Sequence, residues 1–218
     1  GGEVKALCFS DLHAKIDFLT ALENILASKN FDLILFPGDL LNAGREMEYA
    51  ERFLAIIEKA GVPIFWVPGN NDVGEAYKLL QAGLTSVENK KVKFGSEKIV
   101  GMGGVPDLWG HGIFLPEIPQ KDVENSIFLS HIPPKTFQNY RKFDHSEIDG
   151  SVELKSAPKI QISGHQHRYW GVAYIGKTKI LKLPAGLLMM AATLDTQSSK
   201  VEFINLSDYN KLNKIILR

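Results

Sequence analysis

Cysteine is almost missing from this chain: Cys8 is the only one in 218 residues. No disulfide can close within it, and the fold has to hold without one. A reduced, intracellular setting is the expectation, written most simply as cytoplasmic. An excess of charge is missing too. Lys and Arg total 25, Asp and Glu total 25, and the formal net charge is zero. Nothing in that balance asks for nucleic acid or an anionic membrane, and no partner of either kind is expected. No apolar run approaches the roughly 20 residues that span a bilayer. The first residues carry no leader pattern. Internal repeats, low-complexity tracts and linkers are also missing. The apolar share is 44%, enough for one sizeable core, so one domain over residues 1–218 is the simplest count.

Several short apolar runs are present, separated by helical periods. Val4 to Phe9 leads into "SDLH". Phe18, Leu19, Leu22, Ile25 and Leu26 then recur at helix spacing. "FDLILF" runs into "PGDL", and Tyr49, Phe53, Ile56 and Ile57 mark a second amphipathic helix that stops near Gly61 and Pro63. "VPIFWV" runs into "PGNND". This strand–helix rhythm predicts parallel strands with crossover helices, and unbroken apolar strands predict cover on both faces. A short helix is expected from Glu75 to Ala82, and a strand pair in "KVKFGSEKIVGMGG". A long Gly- and Pro-rich loop follows over residues 104–120. "SIFLSH", "KIQISGHQH" and four later segments read as further strands, which suggests a second sheet, antiparallel or mixed.

Five of the strands end in polar residues that can ligate a metal. Asp11 and His13 follow the first, Asp39 the second, and Asn70, Asn71 and Asp72 the third. His131 follows "IFLS", and His165 and His167 follow "IQIS". In open α/β sheets, ligands collect outside the carboxyl ends of strands. Side chains two apart in an extended segment point the same way, so each pair could aim two donors at one place. Any one of these residues alone reads as a turn or cap residue. Together they hold four of the six histidines, and burying such a set in one cleft is costly without a cation. His, Asp and Asn suit divalent transition ions.

"SDLH", "PGDL", "PGNND", "LSHIPP" and "SGHQH", in that order, resemble the motifs of the calcineurin-like metallophosphoesterase family. The resemblance implies an α/β fold of two packed mixed sheets flanked by helices. It implies two divalent metal ions, such as Mn, Fe or Zn. Asp11, His13 and His167 would hold one, Asn70, His131 and His165 the other, and Asp39 would bridge them. The implied reaction is hydrolysis of a small phosphate ester. A water shared by the ions would ionise and attack phosphorus in line, with no covalent phosphoenzyme.

The chain departs from the family pattern at Asn71, where many members carry a His that serves the leaving group and is oriented by the residue equivalent to Asp72. An amide can donate a hydrogen bond but cannot deliver a proton near neutral pH. Three readings follow: leaving groups that need little protonation are favoured, another residue supplies the proton, or the fold serves another purpose. His145, before Gly150-Ser151, is the better candidate donor of the two remaining histidines, the other being His111. Asp39, Asn70, Asn71, Asp72 and His145 are therefore the expected catalytic set. The leading expectation is a phosphodiesterase. A phosphomonoesterase or protein phosphatase is the alternative, and a non-catalytic interaction scaffold is the rival of another class. Plainer readings attach to Asn42 as a helix cap, to Trp66 and Cys8 as core, and to Met189-Met190 as filling for the second sheet.

Overall fold

The computed structural model describes residues 4–103, 120–134 and 156–210. The first sheet is built on β1 (Lys5–Cys8), β2 (Leu33–Phe36) and β3 (Ile64–Trp66), which run parallel. α1 (Ile16–Ser28) and α2 (Met47–Ala60) are the crossovers between them. Their apolar stripes are the expected ones: Phe18, Leu19, Leu22 and Ile25 on α1, and Tyr49, Phe53, Ile56 and Ile57 on α2, are buried. Gly61 ends α2 in the left-handed conformation that an L side chain resists. α3 (Gly74–Gly83) leads to the two-residue strand β4 (Thr85–Ser86), which has no clear sequence signal.

The strands alternate strictly in what they face. Leu7, Ile34, Phe36, Ile64 and Trp66 pack under the helices. Ala6, Cys8, Leu33, Leu35 and Phe65 face the other way, against a second sheet. A strand covered on both faces needs apolar residues at every position, which is why these runs are unbroken. Trp66 is fully buried, with its ring stacked 6.3 Å from that of Phe36. Cys8 is a free, buried thiol, and burial pushes its pKa far up.

The second sheet holds β5 (Lys91–Phe94), β6 (Glu97–Met102), β7 (Ile127–Ser130), β8 (Ile160–Ser163), β9 (Gly171–Ile175) and β10 (Thr178–Lys182). Its order is β5-β6-β7-β8-β10-β9, with β6, β7, β8 and β10 parallel. The short α4 (Gln120–Val123) precedes β7. Ile99, Ile127, Leu129, Ile160, Ile162 and Leu181 meet the first sheet in a common core.

The last two strands correct the sequence reading. β11 (Met190–Asp195) and β12 (Val201–Asn205) do not extend the second sheet. β11 pairs antiparallel with β1 and closes the first sheet's other side, giving the order β12-β11-β1-β2-β3-β4. Met189 accordingly packs in the helix-side core of the first sheet. Alternation marks a segment as a strand but carries no label for its partner. The two sheets are also tied where β1 runs out: Ser10 bridges Ala185, and its carbonyl accepts from Gly186 N at 2.7 Å.

Candidate metal centre

The carboxyl ends of β1, β2, β3, β7 and β8 meet at one edge, and their loops bring the polar tips together. Asp11, His13, Asp39 and His167 each offer a ligand atom, all within 4.8 Å of one another. His13 Nε2 and His167 Nε2 are 2.9 Å apart, and His13 Nε2 is 3.5 Å from Asp39 Oδ2. His167 Nε2 lies 3.5 Å from Asp11 Oδ1. Beside this group stands another. Asn70 Oδ1 is 3.0 Å from His131 Nε2 and 3.1 Å from His165 Nδ1, and those two nitrogens are 3.3 Å apart. Asp39 Oδ2 is 3.4 Å from His131 Nε2, so one carboxylate oxygen faces both groups.

The convergence is not made by extended backbone. Asp11, His13, Asp39 and His165 have φ of 55°, 45°, 60° and 73°, in the left-handed region that L residues avoid. The expected same-side pairing of residues two apart fails for His165 and His167, since each joins a different group. Two glycines permit the crowding. A Cβ on Gly69 would stand 2.1 Å from Asp39 Oδ1, and one on Gly164 would stand 2.4 Å from Asp11 Oδ2.

Neighbouring groups fix which atoms point inward. His131 Nδ1 is 2.8 Å from the Pro37 carbonyl, so Nδ1–H donates there and Nε2 is the nitrogen that faces the site. Asn42 does the same for His13. Its Nδ2 donates to the His13 carbonyl at 2.8 Å, which turns Oδ1 toward His13 Nδ1 at 3.0 Å. Asn42 is thus not a cap; Glu46 occupies the N-cap position of α2. Asp11 accepts from Ser10 Oγ at 2.6 Å and from His165 N at 3.0 Å to each oxygen.

Asn71 and Asp72 behave differently from the expected pattern. Asn71 turns its amide inward: its backbone N–H donates to Asp39 Oδ1 and its Nδ2 to Asp39 Oδ2, both at 2.8 Å. Asp72, expected to orient residue 71, instead accepts from the backbone. It takes Asp39 N (2.7 Å) and Gly69 N (2.9 Å) on Oδ2, and Leu40 N (2.9 Å) and Leu41 N (3.1 Å) on Oδ1. It staples the "PGDL" loop to the "PGNND" loop. The physical reason is that Asn71 already has a partner in Asp39. His145 lies outside the described residues, as does His111.

The charges within these groups balance unevenly. Burial works against ionisation of Asp39, but the neighbouring His131 charge outweighs it and holds the carboxyl below its usual range. Asp11 is likewise held low, against burial, by its hydrogen bond to His167 and the charges of His131 and Lys182. His131 is pushed up to about 9, because the Asp39 carboxylate overcomes burial. Burial and the His131 charge push His165 down to about 4. Asp72 rises to about 7 through burial and the nearby Asp39 charge.

The donor set fits divalent ions. Lone pairs of imidazole nitrogen and amide oxygen about 3 Å apart repel unless a proton or a cation lies among them. Two nitrogens 2.9 Å apart can also share one ion with bonds of about 2.1 Å.

A family model described as calcineurin-like phosphoesterase matches residues 4–169. The chain belongs to the calcineurin-like phosphoesterase family. The matched span contains every donor named above. Solved structures of this fold include a Thermus thermophilus protein, with TM-score 0.68 and 17% identity over 94% of this chain and 100% of that one. A purple acid phosphatase from yellow lupin (Lupinus luteus) seeds has TM-score 0.67 and 16% identity. That match covers 95% of this chain and 52% of the lupin chain. A novel archaeal phosphodiesterase has TM-score 0.52 and 15% identity over 92% and 99% of the two chains. At such identities the likeness is one of fold. No curated protein matches the chain closely enough to add a relative.

Lys182 is the site residue that sequence reasoning missed. It is fully buried on β10 behind the His165–His167 turn. The available signal was a lysine inside the otherwise apolar run "ILKLP".

Proposed function

We propose that this family member hydrolyses small phosphate esters with two divalent ions and prefers phosphodiesters to monoesters. When bound, such ions polarise phosphoryl oxygens and make water a nucleophile near neutral pH. Asp11, His13, His167 and Asp39 would hold one ion, and Asn70, His131, His165 and Asp39 the other. Mn, Fe and Zn all suit these ligands. Asn42 and the Pro37 carbonyl keep His13 and His131 in the tautomer that presents Nε2. Asn71 and the Asp72-stapled backbone hold Asp39 in place.

The observation that carries the diester preference is Asn71. Its backbone N–H and one N–H of its side-chain amide are directed at Asp39, and an amide has no proton to give a departing alkoxide. Every histidine among the described residues sits in a donor group, so none of them is left to act as a general acid. Aryl and other good leaving groups need little protonation, and a diester presents less negative charge to the carboxylates than a monoester dianion. Structures of this fold include both a phosphodiesterase and a purple acid phosphatase, so fold does not choose between them. A monoesterase or protein phosphatase is the second reading, favoured if His145 supplies the proton. One domain over residues 1–218, a cytoplasmic setting and a small-molecule substrate complete the proposal. The core shared between the sheets and the free buried thiol support it.

The test is a panel on metal-reconstituted protein: an aryl phosphodiester, an aryl monoester and cyclic nucleotides, with Asp39→Ala as control. Metal-dependent turnover with the aryl diester fastest supports the proposal. A faster monoester rate overturns the preference, and no metal-dependent turnover on any substrate points to a scaffold.

A further inference from the structure

On the outer face of the second sheet, Met102, Ser130, Ser163 and Lys182 stand side by side in register at the ends of β6, β7, β8 and β10. Lys182 is fully buried. A buried ammonium is costly unless well bonded, so its placement calls for a cause. Its Nζ donates to the Gln166 carbonyl at 2.9 Å and to the Leu183 carbonyl at 3.0 Å. The second bond anchors the head to its own strand. The first reaches the turn between the two histidines that close β8.

That turn has to send consecutive histidines in different directions. His165 goes to the group with Asn70 and His131, and His167 to the group with Asp11 and His13. His165 adopts φ of 73° to do so. Gln166 N donates to Gly164 O at 3.0 Å, and the Gln166 carbonyl also accepts from Tyr169 N at 3.2 Å. The backbone at Gln166 is therefore the pivot, and Lys182 is the side chain that grips it.

We propose that Lys182 is a positioning residue for the metal centre: by pinning the Gln166 carbonyl it fixes the directions in which His165 and His167 leave the turn, one toward each ion. The inference rests on the two-ion reading above. It gives one buried lysine, outside the donor set, control over both halves of the centre.

Calorimetric titration of the full chain with Zn²⁺ tests it, comparing wild type with Lys182→Met and Thr178→Val. Thr178 lies on the same strand, is buried, and donates to the Pro158 carbonyl at 2.7 Å away from the turn. It serves as the control for simple loss of stability. Lys182→Met is expected to weaken both binding events by about tenfold or more, as loss of support to ligating side chains does. Thr178→Val is expected to lower the melting temperature while leaving both affinities within about twofold. Wild-type affinities in Lys182→Met, or an equal loss in Thr178→Val, overturn the inference. Should Lys182→Met fail to fold, the ¹⁵N signal of the Lys182 ammonium in the wild-type protein decides. It is expected to shift as Zn²⁺ fills the site, and no shift at saturation overturns the inference. A wild-type chain that binds no ion removes the functional reading itself, a result distinct from intact binding in Lys182→Met.

Discussion

At the residue scale the chemistry turns on Asn71 and His131. Asn71 directs its backbone N–H and one side-chain N–H at Asp39, so it acts as a fastener for a carboxylate and not as an acid. Asn71→His would return a titratable group to the pattern and release one bond to Asp39. Its monoester-to-diester rate ratio should rise, by up to about the 10²-fold at the low end of general acid catalysis. An unchanged ratio in steady-state assays of both substrates would remove the argument for diester preference. His131 makes a pH prediction. Its pKa is raised from 6.5 to about 9 in the metal-free fold by the Asp39 carboxylate, against burial. A group raised on folding stabilises fully below its unfolded pKa and loses that contribution as pH climbs through the folded value. Chelated protein should therefore lose melting temperature between about pH 6.5 and 9, and ion-loaded protein should not show that loss, because the cation replaces the proton. Scanning calorimetry across that range reads it, and parallel profiles for the two forms would contradict it. The residue types were legible in the sequence because His, Asp and Asn repeatedly follow apolar strands. The direction of the Asn71 amide was not legible, since it depends on a neighbour 32 positions away.

At the scale of elements, the strands other than β4, the first two crossover helices and the order of the tips follow from hydrophobic period. Two features do not. One is sheet membership: β11 and β12 have the right alternation, but only the open side of β1 tells them where to go. The other is the left-handed backbone at Asp11, His13, Asp39 and His165, which no propensity favours and which the loops impose on one another. The glycines make this testable. At Gly69 an added methyl would meet Asp39 Oδ1 at 2.1 Å, whereas at Gly61 it would meet nothing within 4 Å. Gly61→Ala should cost only about 1 kcal/mol, from its left-handed φ, and leave ion binding intact. Gly69→Ala has to displace the carboxylate that faces both donor groups, so ion affinity should fall even where the protein still melts cooperatively. Equal ion affinity in the two variants would mean that the close approach at Gly69 is dispensable.

For the whole molecule, two sheets share one apolar interior and end their parallel strands at a common edge. Five separate loop segments contribute donors there, and no one of them makes a site alone. This is why the full set of motifs was informative in the sequence while each fragment was not. Two supports of the site were out of reach because they act across the fold: Lys182 comes from β10, and Asn42 grips a histidine 29 positions before it. The Asp72 staple joins loops in the same way. The central claim is that these segments together hold two divalent ions through a carboxylate common to both. Metal analysis by native mass spectrometry, on wild type and Asp39→Ala reconstituted with Mn²⁺ or Zn²⁺, tests it most directly. The account predicts two ions per wild-type chain and weakened retention of both in Asp39→Ala; a wild-type chain holding one ion or none, or a variant that still keeps two at the same concentrations, would contradict it.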